Sequence, residues 1–252
     1  MIAEVLSKIP IELWNEIVRR EPEWLFMEEF LRLGFGKFAV LMVSAGLNDF
    51  QLKGRAEKVY WPEIAKNLNF KTFNSISDLK TVLGEFYMHE RLAKQKLRRL
   101  ERFLTSKLAE KLWNSNAEEV AKNFTAIWQE LAETMGQDKT AKTIVFAMKC
   151  LGIALLMSSN SNFTFVAPIP VDYRIRELTK RLGVKIENDE DIRSFWSRIL
   201  IEIRNNGVEI NMIHLDSLAW QIGTLEKHEI LEYFTKLGIK NLGIELAKLL
   251  LR

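Results

Sequence analysis

Apolar residues recur at spacings of three and four along almost the whole chain, and sustained strand alternation is nowhere present, which restricts the fold to packed helices. The periodicity predicts helices over, among other stretches, Glu23–Leu33, Arg91–Trp113, Ala117–Glu130, Lys139–Met157, Tyr173–Leu182 and Asp189–Asn205. Breaks between them are short and polar, with Ser77, Asn116 and Asp191 placed as helix caps. The exception is the connector from Ser158 to Val171, long enough to suggest a functional loop. With 252 residues, 48% of them hydrophobic, the chain can bury a substantial core as one large domain or two closely packed lobes. The expectation is an all-α, two-lobed globule. No period of self-similarity points to a solenoid.

Several classes fall away on composition. The longest apolar run, Ile144 to Met157, is interrupted by Lys149 and Gly152 and reads as a buried helix rather than a membrane span. The first residues, MIAEVLSKIPIELWNEI, carry acids and no apolar leader, the pattern of a mature chain. A single cysteine, Cys150, excludes a disulfide framework or a cysteine-built metal site and fits a reducing, cytosolic setting.

Charge is placed unevenly. Residues 91–111 hold eight Lys or Arg against Glu101 and Glu110, a balance of +6 in a chain whose net charge is +3. Such a run is either a solvated helix face or a surface that meets phosphates, and composition does not choose between them. Arg98 and Arg99 lie at its centre.

Two stretches carry chemistry. In GQDKTAKTIVFAMKCLGIALLM the core face is Ile144, Met148, Leu151 and Leu155, which sets Lys142, Phe146 and Lys149 on another side at spacings of four and three. A lysine one turn into an apolar helix is either a snorkelling chain or a nucleophilic amine, and Lys139 and Lys149 are spaced to supply neighbouring positive charge. In APIPVDYRIREL, Pro168 and Pro170 stiffen an extended connector and Asp172 falls at the N-cap of the helix that follows.

Taken together, KTIVFAMK, then PIPVDYR, then HLDSLAW at 214–220 resembles the archaeal 8-oxoguanine DNA glycosylase family, a divergent branch of the helix-hairpin-helix glycosylases. The likeness spreads from RREPEW at 19–24 through the region of Trp61 to Trp220. It implies a two-lobed helical glycosylase fold with a helix-hairpin-helix-like element and an active-site cleft between lobes. One lobe would span about 44–166, and the other 1–43 with 167–252.

The activity implied is excision of oxidised guanine from DNA followed by strand cleavage. On the resemblance, Lys142 attacks C1′, forms a Schiff base and completes β-elimination, while Asp172 stabilises the positive charge developing on the sugar. Trp61, Phe146 and Trp220 would line the base pocket, with Asp216 and Glu23 reading polar atoms of the base. Around ETMGQDK, phosphate contact would rest on Lys139 and on backbone N–H groups at the start of the next helix. No metal or redox cofactor and no membrane are implied, and nothing demands more than a monomer acting in the cytoplasm, near the nucleoid. Two rival readings use the same residues: a related glycosylase for a different damaged base, and a helical nucleic-acid-binding protein that does no chemistry.

Overall fold

The structure, a computed structural model, describes residues 2–69 and 71–251. Among the described residues it holds helices and no strand. In chain order these are α1 (Ile2–Leu6), α2 (Ile11–Arg19), α3 (Pro22–Met27), α4 (Phe35–Leu47), α5 (Trp61–Leu68), α6 (Ile76–Met88), α7 (Ala93–Leu104) and α8 (Lys107–Trp113). There follow α9 (Ala117–Lys122), α10 (Phe124–Met135), α11 (Lys142–Met157), α12 (Tyr173–Arg181), α13 (Asp189–Asn205), α14 (Met212–Ile222), α15 (Lys227–Lys236) and α16 (Lys240–Leu249). A 3₁₀ helix, Glu28–Leu33, follows α3, and a π-helical turn, Ala56–Tyr60, leads into α5.

Helix ends follow local side-chain chemistry more closely than apolar spacing. Asn116 caps α9 as expected, in a reciprocal box with Glu119. For α6 and α13 the caps are Ser75 and Asn188, while Asp78 and Asp191 sit three residues inside and bond back to the cap N–H. Ser77 and Asp191 are therefore first-turn residues, not caps. The expected single helix over 91–113 is cut at Ser106, whose hydroxyl accepts the Ala109 N–H at 3.2 Å and starts α8. That over 117–130 is cut at Asn123.

The chain divides into two compact units, Arg20–Phe165 and Met1–Arg19 with Val166–Arg252. A boundary near residue 44, as expected from the sequence, would fall inside α4, which packs on α8 and α11 in the central unit. Every residue of α4 from Phe38 to Leu47 is buried. Gly46 sets its approach to α11: a Cβ there would lie 2.8 Å from Ala147 Cα and 2.8 Å from Cys150 Sγ. Phe163 and Phe165 seal one end of this unit, their rings 4.7 and 5.2 Å from that of Phe124.

In the other unit α13 packs on α1, α14 on α2 and α12, and α15 on α16. Gly223, just after α14, permits close approach to α12, since a Cβ would stand 2.6 Å from the Arg174 carbonyl oxygen. Buried His214 joins α14 to α2. Its Nδ1 accepts the Asn211 N–H at 3.0 Å and its Nε2 faces Asn15 Oδ1 at 3.2 Å, a pattern that fits the neutral Nε2–H tautomer. Burial drives its basicity down, to a pKa of about 4.

Candidate active site

In the central unit, Lys142 is the first residue of α11, not a residue one turn inside it. The cause lies in DKT: Asp138 Oδ1 accepts the Thr140 N–H at 2.7 Å and its hydroxyl at 2.5 Å, closing a turn, and Ala141 is extended with ψ 134°. Lys142 is exposed there, ahead of the buried run that begins at Ile144. Arg99 fixes this helix start. Its guanidinium donates to Gln137 Oε1 at 2.9 Å and to Thr143 Oγ1 at 3.0 Å, and its Nε to the Leu47 carbonyl at 3.1 Å.

The electrostatic neighbour of Lys142 is Asp49, in the segment after α4. Burial pushes the Asp49 carboxyl up to about 6, against the opposing influence of Lys142 and of the Trp61 indole N–H, which donates to Oδ2 at 3.2 Å. Trp61 is fully buried. The sequence gives no marker for Asp49, an ordinary acid in a loop-forming NDF.

Lys149 lies two turns along α11. It is 1% exposed and its ammonium donates to Glu21 Oε2 at 2.6 Å. The same ammonium lies 5.6 Å from the Phe146 ring centroid. Glu23, 2% exposed and two residues beyond Glu21, has no hydrogen-bond partner for Oε2. Desolvation holds its carboxyl well above the usual range; Lys149 works against this, and Glu21 and Asp49 add to it. Glu21, Glu23, Asp49, Trp61, Lys142, Phe146 and Lys149 thus form one linked group, drawn from the start of α3, the segment after α4, α5 and α11. Glu21 was legible only as part of RREPEW.

Asp172, Asp216 and Trp220 belong to the other unit. Asp172 is the N-cap of α12, Oδ1 accepting the Ile175 N–H at 3.0 Å, and it is half-buried. Trp220 is half-buried on α14, one turn after buried Asp216. The guanidinium of Arg174 stacks on the Trp220 ring, 3.9 Å from its centroid. Arg174 was visible in PVDYR but carried no role.

Of the basic run, Arg98 is exposed, as is Lys139, whose ammonium lies 5.4 Å from the Trp128 ring. Arg99 is half-buried, and its three hydrogen bonds tie α7 to α4 and to the start of α11, so its guanidinium is occupied within the protein. Lys96 is also turned inward, fully buried and paired with Glu90 at 3.1 Å. The outward cations are Arg91, Lys94, Arg98, Arg102, Lys107 and Lys111. Among the described residues no group of three His, Cys, Asp or Glu could hold a metal ion, and no helix is long and apolar enough to cross a membrane.

The model of a family described as AGOG: N-glycosylase/DNA lyase matches residues 3–249. An N-glycosylase/DNA lyase of Thermococcus kodakarensis is 30% identical over 220 residues, 84% of this chain and 78% of that one. One of Methanopyrus kandleri is 29% identical over 206 residues, 81% of this chain and 79% of that one. The fold is that of the 8-oxoguanine DNA glycosylase of Pyrobaculum aerophilum solved with 8-oxoguanosine, with TM-score 0.74 at 21% identity over 98% of this chain and 94% of that one.

Proposed function

The chain belongs to the AGOG family of N-glycosylase/DNA lyases, and from that premise we propose that the base it removes from DNA is 8-oxoguanine, with Lys142 as the attacking amine. The supporting observation is the placement of Lys142 at the first position of α11: its side chain is exposed, whereas Lys149, the other lysine on that helix, is consumed in a buried ion pair. An amine that must reach C1′ has to be accessible and its helix held still, and the Arg99 and Gly46 contacts fix that helix.

In this reading the amine displaces the damaged base from C1′, and the resulting Schiff base undergoes β-elimination, breaking the strand on the 3′ side. Asp172 supplies negative charge as the sugar becomes cationic. Trp61, Phe146 and Trp220 offer aromatic faces to a base taken out of the stack, and Asp216 accepts from its N–H groups. Lys139, Arg98 and the other outward cations of 91–111 contact phosphates. The protein acts as a monomer in the cytoplasm, on the nucleoid.

Borohydride trapping on a duplex containing 8-oxoguanine tests this directly. Lys142→Gln should abolish the covalent adduct and base release while duplex affinity stays within about threefold, because the amine does the chemistry and not the docking. Lys139→Gln is the comparison: it should weaken docking and still form the adduct. An adduct that survives in the Lys142 variant would sink the assignment.

A further inference from the structure

Glu23 is a base-reading candidate whose burial opposes its ordinary ionic state. Counting charges shows why. Glu21 and Glu23 share one buried ammonium, Lys149, which is bonded to Glu21 at 2.6 Å, while Asp49, which has Lys142 as its own cationic neighbour, adds further negative charge beside Glu23. A second charged carboxylate beside this pair would have no cation of its own in a medium that screens poorly.

The other groups near Glu23 do not supply one. Cys150 on α11 is a buried thiol whose own ionisation is opposed by burial first and by Glu23 and Asp49 after it. The ionisable residues of the two other elements packed on α3 are Glu63 and Lys66 of α5 and Glu28, Glu29 and Arg32 of the 3₁₀ helix. All of them are exposed. Yet Oε2 of Glu23 stands without a partner while the residue is 2% exposed, and buried polar atoms left so are rare unless a ligand completes them.

We propose that Glu23 meets the extruded base as a neutral carboxylic acid, with the O–H on Oε2 donating to a carbonyl oxygen of the base. This rests on the reading of the chain as an 8-oxoguanine glycosylase. It turns Glu23 into a specificity-determining residue with a defined polarity: a protonated carboxyl donates where a carboxylate could only accept. A guanine-type base, which presents carbonyl oxygens, satisfies that donor. An amino group at the same position leaves two donors facing each other, and a site built to bond one polarity strongly rejects the other.

The consequence is a proton dependence with a fixed sign. An acid kept neutral by its site is lost as a donor when pH rises through its folded-state value, so excision should fall on the alkaline side. Stability should fall in the same direction, because the native state holds a proton that the unfolded chain gives up at lower pH.

Single-turnover release of 8-oxoguanine from a duplex should be measured across pH 6 to 9 for the unaltered protein, Glu23→Gln and Glu23→Ala, with thermal melting of each. The unaltered protein should lose about tenfold in rate per pH unit on its alkaline limb. Glu23→Gln, which keeps a donor that cannot ionise, should lack that limb and exceed Glu23→Ala by roughly tenfold where both are measured. The melting temperature of Glu23→Gln should rise above that of the unaltered protein as pH increases. The same limb in Glu23→Gln, a fall of that variant to the alanine level, or a melting difference independent of pH would each overturn the neutral acid. If the unaltered protein forms a borohydride adduct on damaged duplex and releases base, these results bear on Glu23 alone; if it does neither, the functional reading fails and the inference with it.

Discussion

Replacing Asp172 by Asn separates two duties that one side chain carries. In the structure Oδ1 accepts the Ile175 N–H at 3.0 Å, a bond that the amide oxygen of Asn can reproduce. Asn and Asp cap helices about equally well, so the change should cost only a few tenths of a kcal/mol, well under 2 °C in melting for a protein of this size. The charge is another matter. A carboxylate about 4 Å from a developing unit positive charge, at an effective dielectric of about 20, is worth about 4 kcal/mol, roughly a thousandfold in rate. Loss of one such electrostatic contribution typically costs on the order of a hundred- to a thousandfold. Asp172→Ala, which removes charge and cap together, should match the rate loss and in addition melt lower by about 2–4 °C, the effect of about 1 kcal/mol. The assay is single-turnover base release beside thermal melting. Near-normal excision by Asp172→Asn would refute the reasoning and leave Asp172 as a cap alone.

Lys149→Gln should destabilise the protein by about 3–5 kcal/mol, since it strands buried Glu21 without its partner, and chemical denaturation would register it; a loss below about 1 kcal/mol would mean that the pair is solvated. Arg98→Glu should flatten the salt dependence of duplex binding without changing stability, whereas Arg99→Glu should lower the melting temperature, because it breaks three hydrogen bonds inside the central unit. His214, depressed to about 4 in the fold against 6.5 in the unfolded chain, should contribute stability that is complete above pH 6.5 and lost as pH falls toward 4, up to about 3 kcal/mol. Denaturant titrations at pH 7 and pH 5 should show this loss shrinking in a His214→Asn variant.

The helical class was legible because apolar spacing reports which side chains share a face, and α11 and α13 follow from it directly. Helix ends were less legible. The choice between Ser75 and Ser77, or Asn188 and Asp191, depends on which side chain reaches which N–H, a matter of backbone angle that spacing does not encode. The start of α11 moved from 139 to 142 for the same reason. At the candidate site, Lys142 and Asp172 could be named from local pattern, and the structure sets them at helix starts. Asp49 and Glu21 could not be, since each gains its partner from a distant segment: Asp49 faces α11, and Glu21 meets a lysine 128 positions away. Nor did the count of cations in 91–111 reveal that Lys96 and Arg99 point inward.

The division into units bears on how the protein is made. Residues 20–165 form one contact-rich body, so during synthesis it can condense as soon as that stretch has emerged, through contacts such as that of α4 with α11. The helices before it have no such option. α1 and α2 find their packing partners in α13 and α14, translated long afterwards, so their apolar faces, Trp14 and Ile17 among them, must wait. Closing so long a loop adds little entropy when its interior is already folded and its ends are held. The slow step in refolding should accordingly be docking of 2–19 onto the carboxyl-terminal helices. The nascent chain is most exposed to aggregation while its first two helices lack their partners.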